Sequence, residues 1–523
     1  MSATRPRRAV LALSGLNLAG KLLAIGKTLI IATLFGTSGV LDAFWVAYSL
    51  PLMLPNLLTT VITVAFVPRF VKSLEGRTGA DAWRGANTLF TLAIGVSLLA
   101  CAAIQLWTGA LVHRLAPGLA PENQQQAIAM IRLMLPCMLM LTLSSLLSAL
   151  SNARERFVLP GLDGIVNNSA IILVALLLAR ELGVRALIAG ITLGFFVQLC
   201  ILAFGNRDLF RSSLRPAFAL GHPDFLRPLA HLLPLLVGSV GAMLTGLVDQ
   251  YFVSRLDAGS ISALTYATMM AMLPVEVFAQ AIITSYYPSL GRGVAAGDHA
   301  AVAATWRSGQ RLILLLTLPC AVLLVGLAKP IVIVLLEHGR FDERSTALTV
   351  EAMSLLAIGM VFRSQAYFSY RVLHSMVRPW TQVFIGLAGV ATCVGLNLLW
   401  AQRLGLRGVA LSAVLSQLQS SLLAAIVVRR LLRAGAPAQR PLSAPLLLPL
   451  GVLAAGILLA RVIVPAGLYE ASHRLWAIAC GLATLPAGLA AFALAWRLGL
   501  PEARDIGARL RARRARPRGA GGS

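Results

Sequence analysis

The sequence predicts an all-α membrane protein of about fourteen transmembrane helices, arranged as two parallel-repeat lobes with two further helices at the C-terminal end. Three observations carry that reading. Of 523 residues, 58% are hydrophobic and only 12% are charged, whereas a soluble domain is about a quarter charged. Apolar runs long enough to span a bilayer, ~20 residues each, recur along the chain between short turns carrying Arg, Gly, Pro or Asp. A constant offset of 220 residues lays Gly39 on Gly259, Ala43 on Ala263, Ala47 on Ala267 and Pro68 on Pro288 without a gap.

In lipid every backbone polar group must be paired within the segment, so continuous apolar runs mean helices; the alternating pattern of barrel strands is absent. The expected spans are 9–36, 41–73, 84–112, 127–151, 157–179, 185–205, 228–254, 260–290, 309–336, 347–374, 379–401, 406–428, 442–466 and 474–498. Helices one and two correspond to seven and eight under the offset. Both copies follow an even number of spans, so the repeat is parallel, and its two lobes are related by an axis along the membrane normal. The domain boundaries that follow are 1–220 and 221–435 for the lobes, 436–500 for helices thirteen and fourteen, and 501–523 for a basic tail.

The net charge of +25 could indicate a nucleic-acid partner, but the arginines are scattered between apolar segments and do not gather on one soluble face. They follow the positive-inside rule instead. With a cytoplasmic N-terminus, the inside segments hold Arg5, Arg7 and Arg8; Arg69, Lys72, Arg77 and Arg84; Arg154 and Arg156; Arg207, Arg211 and Arg215; Arg292, Arg307 and Arg311; Arg429, Arg430 and Arg433; and the tail. Outside segments hold few, among them Arg114, Arg255, Arg340, Arg344 and Arg474, which places both termini in the cytoplasm. The run RLRARRARPR, 509–518, reads as a tail lying near anionic lipid.

Six cysteines sit in apolar stretches without CxxC spacing, so neither a disulfide framework nor a metal site is indicated. The basic start leads into an apolar run too long for a signal peptide and without a clear cleavage site, so it is expected to be retained as the first helix. No phosphate-binding loop, dinucleotide fingerprint, HExxH or nucleophile constellation is present, no cofactor is expected, and the loops are too short for a catalytic domain. The chain is therefore expected to be a transporter and not an enzyme.

The residues that could carry function are the charges inside spans. Lys21 and Lys27 lie in the first helix, where a lipid-facing Lys would cost ~2.5–3.5 kcal/mol at the bilayer centre. They are about 240° apart on the helix wheel, so a broad cavity could take both but a narrow stripe could not. Asp42 opens helix two, where an acid complements the helix dipole, and capping and function are both open for it. Asp249 and Arg255 in VDQYFVSRL and Glu276 in helix eight are in or near the membrane, as are Arg132 and Arg363. Pro51, Pro55 and Pro274 interrupt helices two and eight at similar depths, freeing carbonyls that only a cavity or a neighbouring helix can satisfy.

LDAFWVAYSLPLMLPNLL (41–58) followed by AFVPRF, SRLDAGSISALTYATMMAMLP (254–274) followed by YYPSL, and LLEHGRFD at 335–342 resemble the MviN/MurJ family of lipid-linked saccharide flippases. That group lies within the larger one that holds polysaccharide exporters and multidrug antiporters. The resemblance covers about the first 430 residues. It implies two lobes around a cation-lined cavity for the pyrophosphate and sugar of an undecaprenyl-linked precursor, with the polyprenyl tail in a lateral groove. The expected partners are thus a polyprenyl-diphosphate-linked glycan and membrane lipids, with no nucleic acid, an unassigned coupling ion and a monomeric state. Lys21 and Lys27 fall where the family places Arg, and Asp42 matches its acid before Ala-Phe. Asp42, Arg255 and Arg363 join the two lysines as expected substrate-binding residues, with Asp249 and Glu276 as cavity or coupling residues.

The sequence also departs from the pattern. Thr59 and Thr60 stand where members that flip the peptidoglycan precursor usually carry Arg-Arg, and Met269 stands at the Arg of Tyr-Ala-Asp-Arg. Lys for Arg in the first helix also gives up the bidentate fork. The glycan therefore stays open between a lipid II-like precursor and an exopolysaccharide or other surface-glycan unit. A non-transporting envelope scaffold is the alternative of another class.

Overall fold

In a computed structural model, residues 4–61, 79–208, 217–218, 223–432 and 443–497 are described. They form helices and no strand. In chain order the long helices are α1 (Thr4–Phe35), α2 (Gly39–Val61), α3 (Gly79–Leu115), α4 (Pro121–Ala153), α5 (Asp163–Leu182), α6 (Arg185–Gly205), α7 (Pro223–Val253), α8 (Ser260–Ala295), α9 (His299–Gly326) and α10 (Glu343–Ser375). The continuous helix Pro379–Leu431 passes through Gly405, whose φ of 59° and ψ of −137° are not helical. It is therefore two spans, α11 (379–404) and α12 (406–431). Ser443–Ile463 and His473–Arg497 complete the set as α13 and α14.

Twelve helices among the described residues are long and apolar enough to cross a membrane, and Leu448–Ile463 is a shorter apolar one. Dividing the long helix at Gly405 brings the total to the fourteen expected. The end of the expected second span, with Pro68, Arg69 and Lys72, lies outside the described residues, as do Arg77, Arg211, Arg215, Arg433 and the basic tail.

Helix starts shift by several residues from the expected spans, most of all in the ninth. The ninth begins at His299, well before the expected start, because Asp298 caps it by accepting from the Ala301 amide at 2.8 Å, which satisfies one of the orphan donors of a helix N-terminus. The first turns also bury Val302, Ala303, Trp306 and Gly309 on one side, a one-faced pattern that an average over hydropathy dilutes. The prolines act differently in the two repeat copies. α2 stays helical through Pro51 and Pro55, whereas after Pro274 the chain makes one π-helical turn, Val275–Ala279, the local widening that absorbs a missing amide.

Contacts divide the chain into two compact units, 1–263 with 336–345, and 264–335 with 346–523. In the first, α2 packs on α4, α5 on α6, and α1 on α5, around a core that includes Phe90, Leu146, Leu150 and Leu202. α1 and α5 meet at glycines, where a Cβ on Gly20 would touch the Gly164 backbone at 3.4 Å and Asn168 donates to the Gly20 carbonyl at 3.2 Å. Small residues at a crossing allow this approach in lipid, where helix association relies on close packing and polar contacts. Large apolar side chains stay exposed on the outside, among them Leu99, Leu106, Leu177 and Val462. On a soluble protein such surface would aggregate; here it is the face offered to acyl chains.

In the second unit Phe368, Ile283 and Trp306 centre one core, and a smaller one joins Leu327 to Leu453, Ile457 and Ala491 of α13 and α14. That smaller core holds the last two helices against the end of α9. Ile457 is 3% exposed and its side chain lies against Gly326, closer than a Cβ there would allow. Replacing Ile457 by Ala opens a cavity worth about 2–5 kcal/mol, so the detergent-purified variant is expected to melt several degrees lower; an unchanged melting temperature would show that α13 and α14 are held elsewhere.

Candidate functional site

Of the charges expected inside the spans, Asp42 is the one held by a dense set of hydrogen bonds, in the first unit where α2 begins. Asp42 is buried, and its carboxylate accepts from the Gly259 amide at 2.7 Å, the Ser262 amide at 2.7 Å and the Ser262 hydroxyl at 2.6 Å. Those amides are the unpaired donors at the start of α8. Asp42 thus caps another helix as well as opening its own. The partner is its own repeat mate, for the offset of 220 residues that relates the copies puts Ser262 opposite Asp42. Sequence reasoning missed Ser262, although the matched pairs Gly39/Gly259 and Ala43/Ala263 flank it.

The surrounding turns are fitted to this contact. Gly259 has φ +93°, and a Cβ there would stand 2.8 Å from the Thr37 carbonyl oxygen, so only glycine suits both the backbone and the space. The segment LLEHGRFD reaches the same place. The Arg340 amide donates to the Thr33 carbonyl at 2.9 Å, and Gly339, at φ +60°, presses on that carbonyl so closely that any Cβ would collide. Thr37 and Ser345 share a hydroxyl hydrogen bond of 2.7 Å. Asp342, beyond the spans, accepts from the Ser345 amide and hydroxyl at 2.8 and 2.7 Å, and these bonds hold its carboxyl below the usual carboxylate range. Arg344 and Asp257 form an exposed pair at 3.7 Å.

The other expected residues are more dispersed. Lys21 is exposed on α1 and Lys27 is half-buried a turn and a half further on. Arg255 is exposed and stacks over the Tyr251 ring at 4.3 Å, also bonding its hydroxyl. Asp249 is half-buried on α7, and the adjacent Gln250 makes the link to α2, accepting from the Ser49 hydroxyl at 3.1 Å and donating to the Trp45 carbonyl at 3.4 Å. In the second unit Glu276 is exposed on the π turn, and Arg363 is half-buried, its Nε donating to the Tyr367 hydroxyl at 2.9 Å. Arg132 is exposed on α4. Among the described residues no group of three His, Cys, Asp or Glu is placed to hold a metal ion.

The family model described as lipid II flippase MurJ matches residues 31–478. The chain belongs to the lipid II flippase MurJ family. A curated relative from Burkholderia cenocepacia, described as lipid II flippase MurJ, is 30% identical over 368 residues, 68% of this chain and 70% of its own. A probable lipid II flippase MurJ from Synechocystis is 26% identical over 358 residues, 66% and 67% of the two chains. Among solved structures, a lipid II flippase MurJ in an inward closed conformation matches with a TM-score of 0.77 at 18% identity, covering 93% of this chain and 99% of that one. A multidrug MATE transporter of the MOP superfamily, inward-facing, matches with a TM-score of 0.64 at 14% identity, over 81% and 98%. The protein is therefore a multi-pass membrane transporter with the fold shared by MurJ and MATE proteins.

Within the MurJ family pattern, Thr59 does not imitate the cation it replaces. Its hydroxyl donates to the Pro55 carbonyl at 2.8 Å and shares a 2.6 Å bond with Ser145 of α4. The side chain of Thr60 lies outside the described residues, and Met269 is half-buried.

Removing the Asp42 carboxylate would strand the buried Gly259 and Ser262 amides, at about 1–3 kcal/mol for each unsatisfied group. Asp42→Ala is expected to lower both the melting temperature and transport, and Ser262→Ala, which keeps the amide bond, to cost about 1 kcal/mol. The double variant should cost less than the sum of the two singles; strict additivity in thermal melts would mean that the pair is not coupled.

Proposed function

We propose that this chain carries an undecaprenyl-diphosphate-linked saccharide of the lipid II type from the cytoplasmic to the periplasmic leaflet of a bacterial inner membrane, by alternating access and as a monomer. The observation that carries this reading is the family match, which runs through both repeat copies. A diphosphate needs fixed positive charge in a low-dielectric surrounding, and Lys21, Lys27, Arg255 and Arg363 are the intramembrane or near-membrane cations that could supply it. Asp42 takes a different part in this reading. Its bonds to Gly259 and Ser262 close the end of the bundle where α2 and α8 begin, and opening toward the periplasm breaks them. Asp249 and Glu276 remain as candidates for coupling.

A second reading, a flippase for an exopolysaccharide or other surface-glycan unit, is favoured by Thr59, whose hydroxyl is occupied by Pro55 and Ser145 and brings no charge to a diphosphate. A charge-assisted hydrogen bond to a phosphate oxygen is worth about 1.5–3 kcal/mol, and Thr59 supplies none. Expression in cells depleted of their own lipid II flippase decides between the two. Rescue of growth is the expected result, with Lys21→Ala or Lys27→Ala reducing transport about tenfold or more at normal abundance. Failure to rescue, together with loss of a surface glycan when the gene is deleted in its host, would move the substrate to the second class.

The arginine asymmetry further supports a cytoplasmic location for both termini and the turns at Arg154 and Arg292, and an outside location for the turn at 336–342. In a variant with its six native cysteines replaced, a cysteine at Glu343 should react with an impermeant thiol reagent in intact spheroplasts, and one at Ala296 should react only after lysis. The reverse pattern would invert the topology.

A further inference from the structure

We propose that the cleft between the second half of α8 and the first turns of α9 binds the phosphate of an anionic phospholipid headgroup. The cleft has a volume of about 480 Å³ and is lined by Ser285, Tyr286 and Ser289 from α8 and by Ala304, Thr305 and Ser308 from α9. Its size lies within the ~300–1,000 Å³ range of small-molecule sites. Five of these six side chains carry a hydroxyl, and none is acidic. The Tyr286 and Ser308 hydroxyls lie 3.2 Å apart across the cleft, so one group can engage both helices at once.

Charge comes from the rim. Residues 285, 289 and 292 follow one another at helical spacing and share a face, and the Arg292 Nη2 already donates to the Ser289 hydroxyl at 3.1 Å. On α9, residues 304, 308 and 311 share a face in the same way, which puts Arg311 on the same stripe, one turn beyond Ser308. Hydroxyls with guanidinium groups are the donor set that phosphate oxygens accept. The acid that lies between these arginines in the sequence, Asp298, is turned to the Ala301 amide.

Depth and neighbouring surface favour a lipid over a soluble anion. Ser289 lies at the end of the expected eighth span, 260–290, and Ser308 just before the expected ninth, 309–336, which sets the cleft where headgroups are expected. On the same face of α8, towards the membrane centre, stand Ala281 and Phe278, both exposed. An acyl chain leaving a phosphate in the cleft would run along them. None of the residues assigned to the transported substrate lines this cleft, and the proposal depends neither on the transport reading nor on orientation.

Native mass spectrometry of the full-length protein, delipidated in detergent and titrated with phosphatidylglycerol or phosphatidylcholine, tests it. One phosphatidylglycerol should be retained in preference to phosphatidylcholine. Ser308→Leu, which fills the cleft, should abolish that retention, and Arg292→Gln should weaken it about tenfold. Arg429→Gln, an exposed arginine of α12, should leave it unchanged. Should Ser308→Leu fail to purify as a single species, Ser289→Ala with Arg292→Gln gives the same reading. Equal retention by the cleft variants and the parent protein would overturn the proposal, as would displacement of the lipid by millimolar inorganic phosphate, which would make the cleft a site for soluble anions.

Discussion

The carboxylate of Asp42, buried where α2 begins, takes up the free amides at the start of α8, and the turns beside it are fitted to make that possible. A helix N-terminus leaves donors that lipid cannot satisfy, so a helix starting inside a packed membrane protein needs an acceptor close by. Asp42 supplies it with both carboxylate oxygens. Gly259 turns the chain at positive φ so that its own amide faces the carboxylate, and Gly339 lets the 335–342 segment lie flat against Thr33. Substituting either glycine would move the backbone that aims those groups.

The same contact unites the repeat with the transport reading. Two copies of one helical pair meet at equivalent positions, Asp42 in the first and Ser262 in the second. An acid opposite a serine gives an acceptor facing donors, whereas two acids would repel and two serines would leave amides unmet. In the proposed transport cycle these are the hydrogen bonds expected to break on opening. Each is strong in a low-dielectric surrounding, and in the proposed cycle differential binding of the substrate has to outweigh them.

Most of the fold was legible in the sequence, because the bilayer imposes a length and a composition on anything that crosses it. The fourteen spans, including the division of 379–431 into two, followed from apolar runs and turn residues. Helix starts were less legible. The N-terminus of α9 is set by the single capping side chain of Asp298 and by a one-sided apolar face, neither of which raises local hydropathy enough to mark it. The prolines of α2 and α8 look alike in sequence, yet only the copy with Pro274 is followed by a π turn, since packing around each helix decides how the missing amide is accommodated.

For the candidate site, the sequence by itself determined which residues were costly to bury: Lys21, Lys27, Asp42, Asp249, Glu276 and Arg363 stand out because charge in lipid demands a partner. Partnership is a matter of three-dimensional distance, and only the tertiary structure decided it. It gave Asp42 to Gly259 and Ser262, stacked Arg255 on Tyr251 and Arg363 beside Tyr367, and turned the hydroxyl of Thr59 to Pro55 and Ser145. Helical periodicity fixes the direction in which a side chain leaves its own helix. What waits there belongs to another part of the chain, brought close by packing that no local pattern encodes.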